Sequence, residues 1–163
     1  MAEPRVVTRP EQRYIGVRDA VTMDTVGRVA DRIGELIGWL GARGVSPAGA
    51  PFLRYWVIDM ERRLDVEAGV PIGEPLDADG DITIGTVPAG RYATVTHHGH
   101  PDELVGATAA LLAWADEQGL TWDAHDDPEG TAWGGRLEVF LTNPMEQPDM
   151  SQWDTDLVFK LAD

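Results

Sequence analysis

Two hydrophobic periods alternate along this chain and divide it into strands and helices. Arg13-Tyr14-Ile15-Gly16-Val17-Arg18 is a β-type run. Val26, Val29, Ile33, Leu36, Ile37 and Leu40 then recur at three- and four-residue steps, the spacing of one helix face. Asp24 stands where an N-cap is needed, and Gly44 where a C′ residue closes a helix in a left-handed turn. A Pro/Gly loop from Ser46 to Pro51 leads into Phe52 to Asp59, whose aromatic and β-branched residues predict a strand. Arg63 to Ile72 predicts another, with Leu64, Val66 and Ala68 on one alternating face.

The same order then returns. Arg91-Tyr92-Ala93-Thr94-Val95-Thr96 echoes the first strand, and Pro101 suits a first helical turn. Leu104, Thr108, Leu111, Leu112 and Ala115 make a second helix face that Gly119 ends. Trp133 to Thr142 and Trp153 to Leu161 are the closing strands, and Ile82 to Val87 and the Val6-Val7 segment add strand at the start of each half. Trp39, Gly44, Val45, Leu36 and Ile37 each have a counterpart 75 residues on, at Trp114, Gly119, Leu120, Leu111 and Leu112. The pattern predicts an α+β fold of duplicated βαββ modules with pseudo-two-fold symmetry, antiparallel sheets and two main helices flanking a central cleft. The halves run over about 1–75 and 82–163, joined across Gly73 to Asp81, and together form one domain. Junctions between such copies are common sites of ligand clefts.

Charge separates the halves. Residues 1–75 hold 11 acidic and 10 basic side chains, whereas 76–163 hold 17 and 3. A nucleic-acid binder needs a basic footprint, so nucleic acid is not an expected partner. The acidic surface keeps the protein soluble or favours cationic ligands and basic protein partners. There is no Cys, which excludes disulfides, a thiol nucleophile and thiolate zinc sites. No apolar run is long enough to span a membrane, and Met1 to Pro10 lacks the apolar stretch of a secretory signal, so a cytoplasmic location is expected.

Chemistry concentrates on few residues. In the strand around Glu138, alternation sets Glu138 and Phe140 on one face and Leu137, Val139 and Leu141 on the other. If the Leu137 face packs on the helices, Glu138 faces solvent; if the sheet is concave around a cleft, Glu138 and Phe140 point into it. A carboxylate in a cleft needs a partner. A cationic ligand supplies one, and aromatic walls add about 0.5–2 kcal/mol each. Candidate walls are Trp39, Tyr55, Trp114, Trp133, Phe140 and Trp153. Trp39 and Trp114 flank their helix faces, where they either line a groove between the helices or cap the edge of the core. His97, His98 and His100 with Asp102 lie at a strand-to-helix turn and suit a loop or cap better than a metal. His125, Asp126, Asp127 and Glu129 suit a solvated acidic loop. Asp77-Ala78-Asp79-Gly80-Asp81 fails as a calcium loop, having Ile82 at its sixth position and Pro88 at its twelfth. No phosphate loop is present, and no metal or cofactor is expected.

Pro51-Phe52-Leu53-Arg54-Tyr55, Leu64 to Ile72, Val87 to Tyr92, Gly135 to Pro144 with Glu138, and Trp153 to Leu161 follow one another in an order and spacing that resembles the GyrI-like family, also called the AraC-type effector-binding domain. The resemblance implies two βαββ modules around a central pocket. In family members fused to a DNA-binding domain, that pocket senses drugs, several of them lipophilic cations held by aromatic walls and a buried glutamate. Other members are hydrolases of cyclopropane-bearing toxins, and another inhibits DNA gyrase by protein contact. The expectation is therefore polyspecific binding of lipophilic, aromatic and cationic small molecules, with Glu138 as acidic anchor. The alternatives are a hydrolase of strained electrophiles, with Glu138 catalytic, and a protein-binding regulator acting through its acidic surface. Two positions depart from the family pattern. Phe140 stands where a Tyr is frequent, and Tyr55-Trp56-Val57 stands for Tyr-His-Asp, which makes the pocket more apolar and favours binding over proton transfer.

Overall fold

A computed structural model describes residues 3–59 and 61–162. Ten strands, β1 (Arg5–Arg9), β2 (Gln12–Val21), β3 (Phe52–Asp59), β4 (Arg63–Pro71), β5 (Thr83–Val87), β6 (Gly90–His98), β7 (Ala124–Asp127), β8 (Gly130–Trp133), β9 (Arg136–Phe140) and β10 (Asp154–Lys160), are joined by the helices α1 (Gly27–Ala30), α2 (Ile33–Ala42) and α3 (Leu104–Glu117). Eight strands form one antiparallel sheet in the order β1-β6-β10-β9-β3-β4-β2-β5, and the β7–β8 hairpin attaches to β3. Outward from the centre the order is β3-β4-β2-β5 on one side and β9-β10-β6-β1 on the other. The entry strands cross over: β1 pairs with β6, and β5 pairs with β2.

Register assigns each side chain to a face, because directly opposed residues share a side. One face carries Ile15, Val17, Val66, Ala68 and Val70, which pack with Val29, Leu36 and Leu40 of α1 and α2. Further along that face, Ala93, Leu157 and Phe159 pack with Leu104 and Leu111 from the α3 side. The opposite face holds Tyr14, Phe52, Val87, Tyr92, Leu137 and Val158 in a third cluster that includes no helix residue. Both main helices end alike. Val45 N–H donates to Leu40 C=O and Gly44 N–H to Gly41 C=O; Leu120 and Gly119 repeat these bonds to Ala115 and Asp116. Gly44 and Gly119 have φ of 70° and 69°, the left-handed conformation such a terminus needs.

Several expectations need correction. The first helix is two, broken after Ala30, and Asp24 does not cap it: the residue before α1 is Val26, with no side-chain cap. Ile37 is 41% exposed rather than part of the core: α2 buries Leu36 and Leu40, and Ile37, one residue past Leu36, falls off that face. The expected strand from Trp133 to Thr142 is interrupted at Gly134-Gly135, giving β8 and β9. The segment read as an acidic loop is a β-hairpin, with Asp127 opposite Gly130. Gly130 has φ of 143° and lies where a Cβ would stand 2.5 Å from the Ile58 carbonyl, so only glycine lets this hairpin dock on β3. Among the described residues no helix is long and apolar enough to cross a membrane.

Candidate functional site

α2 packs on β4 and α3 on β6, so the helices stand apart over the two wings of the sheet. Between them runs a strip along β3 and β9. Leu53 opposes Glu138, and Glu138 in turn opposes Leu157, which sets all three on the helix-bearing face. Tyr55, Arg136 and Phe140 share that face by alternation. Sequence left open which face of β9 packs inward. Both do: Leu137 enters the cluster with Tyr14 and Tyr92, and Glu138 lies on the helix side.

The Tyr55 hydroxyl donates to Glu138 Oε1 at 2.9 Å. Both residues are half-buried, yet burial dominates their titration. Desolvation raises the Glu138 carboxyl above its ordinary range, against the Tyr55 hydrogen bond and the Arg136 charge, which lower it. Desolvation likewise raises the Tyr55 phenol well above its usual value, helped by the Glu138 charge and hydrogen bond. Residual exposure together with desolvation describes polar groups partly covered by neighbouring side chains.

Arg136 was not foreseen, although it stands two residues before Glu138 and shares its face. Its guanidinium lies 4.6 Å from the Trp133 ring centre and 4.5 Å from that of Phe159. Those rings join Trp122 in a cluster with centroids 5.6–5.9 Å apart. Burial lowers the Arg136 pKa to about 10, against the Glu138 and Tyr55 charges, and the side chain stays cationic at neutral pH.

The expected site residues divide. Tyr55, Glu138 and Phe140 share the strip, and Trp133 borders it beneath Arg136. Trp114 is half-buried against the α3 cluster. Trp39 packs at the edge of the other cluster, where its indole donates to Asp79 at 3.1 Å under the Arg43 guanidinium. These residues line a separate recess of about 570 Å³ with Pro75, Leu76 and Asp77. That recess is open, and its one cation, Arg43, already pairs with Asp79 at 3.0 Å, so the partly buried carboxylate locates the site better than volume does. Trp153 donates to the Gln147 carbonyl at 2.7 Å and pins the loop between β9 and β10. His100 caps the turn before α3: it accepts from Asp102 N–H, and Glu103 accepts from His100 N–H.

A bulge in β3 between Tyr55 and Val57 turns Trp56 away from Glu138. Its indole donates to buried Glu67 at 3.0 Å on the other face, where Tyr14 also donates to Glu67 and Arg54 stacks on Trp56 at 3.7 Å. Arg54 further donates to the Thr86 and Gly134 carbonyls, so this network ties both sheet wings together. Trp56 thus serves this structural network and not the strip.

A family model described as GyrI-like small molecule binding domain matches residues 2–162. Among solved structures, the chain superposes on the EcmrR C-terminal domain with a TM-score of 0.81 at 19% identity, covering 99% of this chain and 98% of that one. In the EcmrR–DNA complex it matches with a TM-score of 0.80 and spans 57% of the longer chain. SAV2435 bound to tetraphenylphosphonium gives 0.62 at 8% identity, with 98% and 94% of the chains covered. A hydrolase encoded by lin2189 from Listeria innocua gives 0.61 at 14%, with 98% and 92% covered. At these identities the likeness is one of fold. Comparison with curated proteins finds no match.

Proposed function

Because the chain belongs to the GyrI-like small molecule binding domain family, we propose that the strip over β3 and β9 binds compact lipophilic aromatic molecules and that Glu138 with Tyr55 is their polar anchor. The observation that carries this reading is the half-buried, desolvated Glu138 carboxylate, hydrogen-bonded on one oxygen by Tyr55. Its second oxygen has capacity for a ligand donor. A positively charged ligand, the drug- or toxin-like preference expected from sequence, is attracted by Glu138 and opposed by the nearby Arg136 charge. SAV2435, of the same fold, was solved with such a cation. On this reading the domain acts in the cytoplasm and its acidic second half makes no contact with nucleic acid, although EcmrR, of the same fold, was solved in complex with DNA.

The test is a titration followed by tryptophan fluorescence, with triphenylmethanol as neutral donor and methyltriphenylphosphonium as cation. Micromolar binding at about one molecule per chain is expected. Glu138→Gln should weaken binding by about 1–3 kcal/mol, the loss expected for one partner of a charge-assisted contact. Binding unchanged in that variant removes Glu138 as the anchor.

The raised Glu138 carboxyl beside a phenol favours a second reading, a hydrolase of strained electrophiles in which Glu138 activates water. There Glu138→Gln should lower turnover by about 10²-fold or more. Turnover that survives the substitution ends this reading.

A further inference from the structure

We propose that Arg136 sets the charge selectivity of the strip: it is a tethered cation that occupies the aromatic seat a ligand cation would take, so that the native site prefers uncharged donors. The inference deepens the proposed binding site and rests on that reading.

The argument begins with what a lipophilic cation requires, namely aromatic faces and a nearby carboxylate with little water around them. The strip offers both, and both already have a cation. The Arg136 guanidinium lies over Trp133 and Phe159 at 4.6 and 4.5 Å. Phe159 opposes Arg136 across the β9–β10 pairing, so the contact is built into the register and is not a chance rotamer of a surface arginine. Trp133 is 8% and Phe159 1% exposed, so the seat is part of the core.

Charge distribution points the same way. Residues 76–163 hold only three basic side chains, Arg91, Arg136 and Lys160. One of the three stands on the strip, two residues from Glu138 on the same face. Arg136 acts on the Glu138 carboxylate by its charge, whereas the hydrogen bond to that carboxylate comes from Tyr55, so one carboxylate oxygen keeps its hydrogen-bonding capacity while the charge is offset through space. The arrangement has a carboxylate acceptor and nearly no net charge. A neutral molecule with an O–H or N–H donor gains the hydrogen bond and leaves Arg136 in place. A cation must lie beside a like charge or displace the guanidinium from its rings. Like charges held close together where water is partly excluded repel strongly.

The experiment compares triphenylmethanol with methyltriphenylphosphonium, which share a three-ring shape and differ in charge. Wild-type protein is expected to bind the carbinol at least as tightly as the phosphonium. Arg136→Gln and Arg136→Met should shift the phosphonium-to-carbinol affinity ratio toward the phosphonium by about tenfold or more. Arg136→Lys keeps the charge and should keep the wild-type preference, which separates charge from packing. Thermal unfolding of each variant checks that it is folded. The proposal is overturned if the wild type prefers the phosphonium and neither neutral variant strengthens it. Failure of both probes to bind wild type and variants alike overturns the underlying binding reading, and this inference with it.

Discussion

The Tyr55 hydroxyl donates to the Glu138 carboxylate at 2.9 Å across the junction where β3 meets β9. These two strands come from opposite halves of the chain, so the bond forms only when the halves close into one sheet. The internal duplication read from the 75-residue offset remains our inference, and it places this polar contact on the seam between the copies.

The contact makes a prediction about titration. A hydrogen bond to the charged form favours that form, so Tyr55 holds the Glu138 carboxyl below the value burial alone would give. Tyr55→Phe should move it further up. Carboxyl carbon chemical shifts of Glu138 followed against pH read the change. A titration that moves down, or not at all, removes the bond from solution.

Glu138 should also cost stability. Its folded pKa is raised, so at pH values between its unfolded and folded pKa the native state binds more protons than the unfolded one. The sign follows: stability from this group is fullest below the unfolded value of about 4.3 and falls as pH rises through the folded value. Glu138→Gln should therefore raise Tm at pH 7 by a few degrees, the scale of about 1 kcal/mol in a domain of this size. The gap should close as pH falls toward 4. A gap that widens on acidification would mean the carboxylate is stabilised by the fold.

Sequence carried much of this architecture, for physical reasons. Period and glycine placement located α2 and α3 because the C′ glycine is a backbone requirement: Gly44 and Gly119 both adopt φ near +70°. Alternation gave the two faces of β9. It did not show that both faces pack, since Leu137 meets Tyr14 and Tyr92 only after the wings are assembled. The crossing of β1 and β5 between halves was hidden too, because short strands carry no record of their partners. Arg136 was overlooked even though alternation placed it beside Glu138, since a lone arginine next to an acid reads as surface charge. Its seat on Trp133 and Phe159 depends on the break at Gly134-Gly135, which sequence joined into one strand. Tryptophan abundance was a weaker guide, for Trp39, Trp56 and Trp153 each serve hydrogen bonds away from the strip.

The matched helix ends invite a paired measurement. Gly44→Ala and Gly119→Ala each force a Cβ into the left-handed region, at about 1–2 kcal/mol. No atom lies within 4 Å of either added Cβ, so the cost is conformational and should be nearly equal in the two halves. Urea unfolding gives both values. A large loss at one site and none at the other would show that the two termini are not equivalent in solution.

The network on the opposite face should be less forgiving. A Cβ at Gly16 would stand 2.5 Å from Glu67 Oε2, and Glu67 is fixed by Tyr14 and Trp56. Gly16→Ala should destabilise the fold by about 1–3 kcal/mol through overpacking while leaving ligand affinity of the folded protein unchanged. Loss of binding at temperatures where the variant is folded would couple this network to the strip.

The remaining alternative is that ligands or partners meet only the acidic surface. Residues 76–163 hold 17 acidic and 3 basic side chains, so any cation is attracted to this half. Attraction of that kind acts through solvent and is screened over about 8 Å at physiological salt. A charge pair inside an aromatic recess is screened much less. Raising salt from about 0.1 M to about 1 M should therefore weaken methyltriphenylphosphonium binding only slightly, in wild type and Arg136→Gln alike. Glu138→Gln should weaken it by about 1–3 kcal/mol in either background. Neutralising Asp126 and Asp127 together should do little, because they stand on the β7–β8 hairpin, where Asp126 is exposed, and neither belongs to the strip. If salt and the hairpin variant abolish binding while Glu138→Gln leaves it intact, the ligand rests on the acidic surface and the strip is not the site.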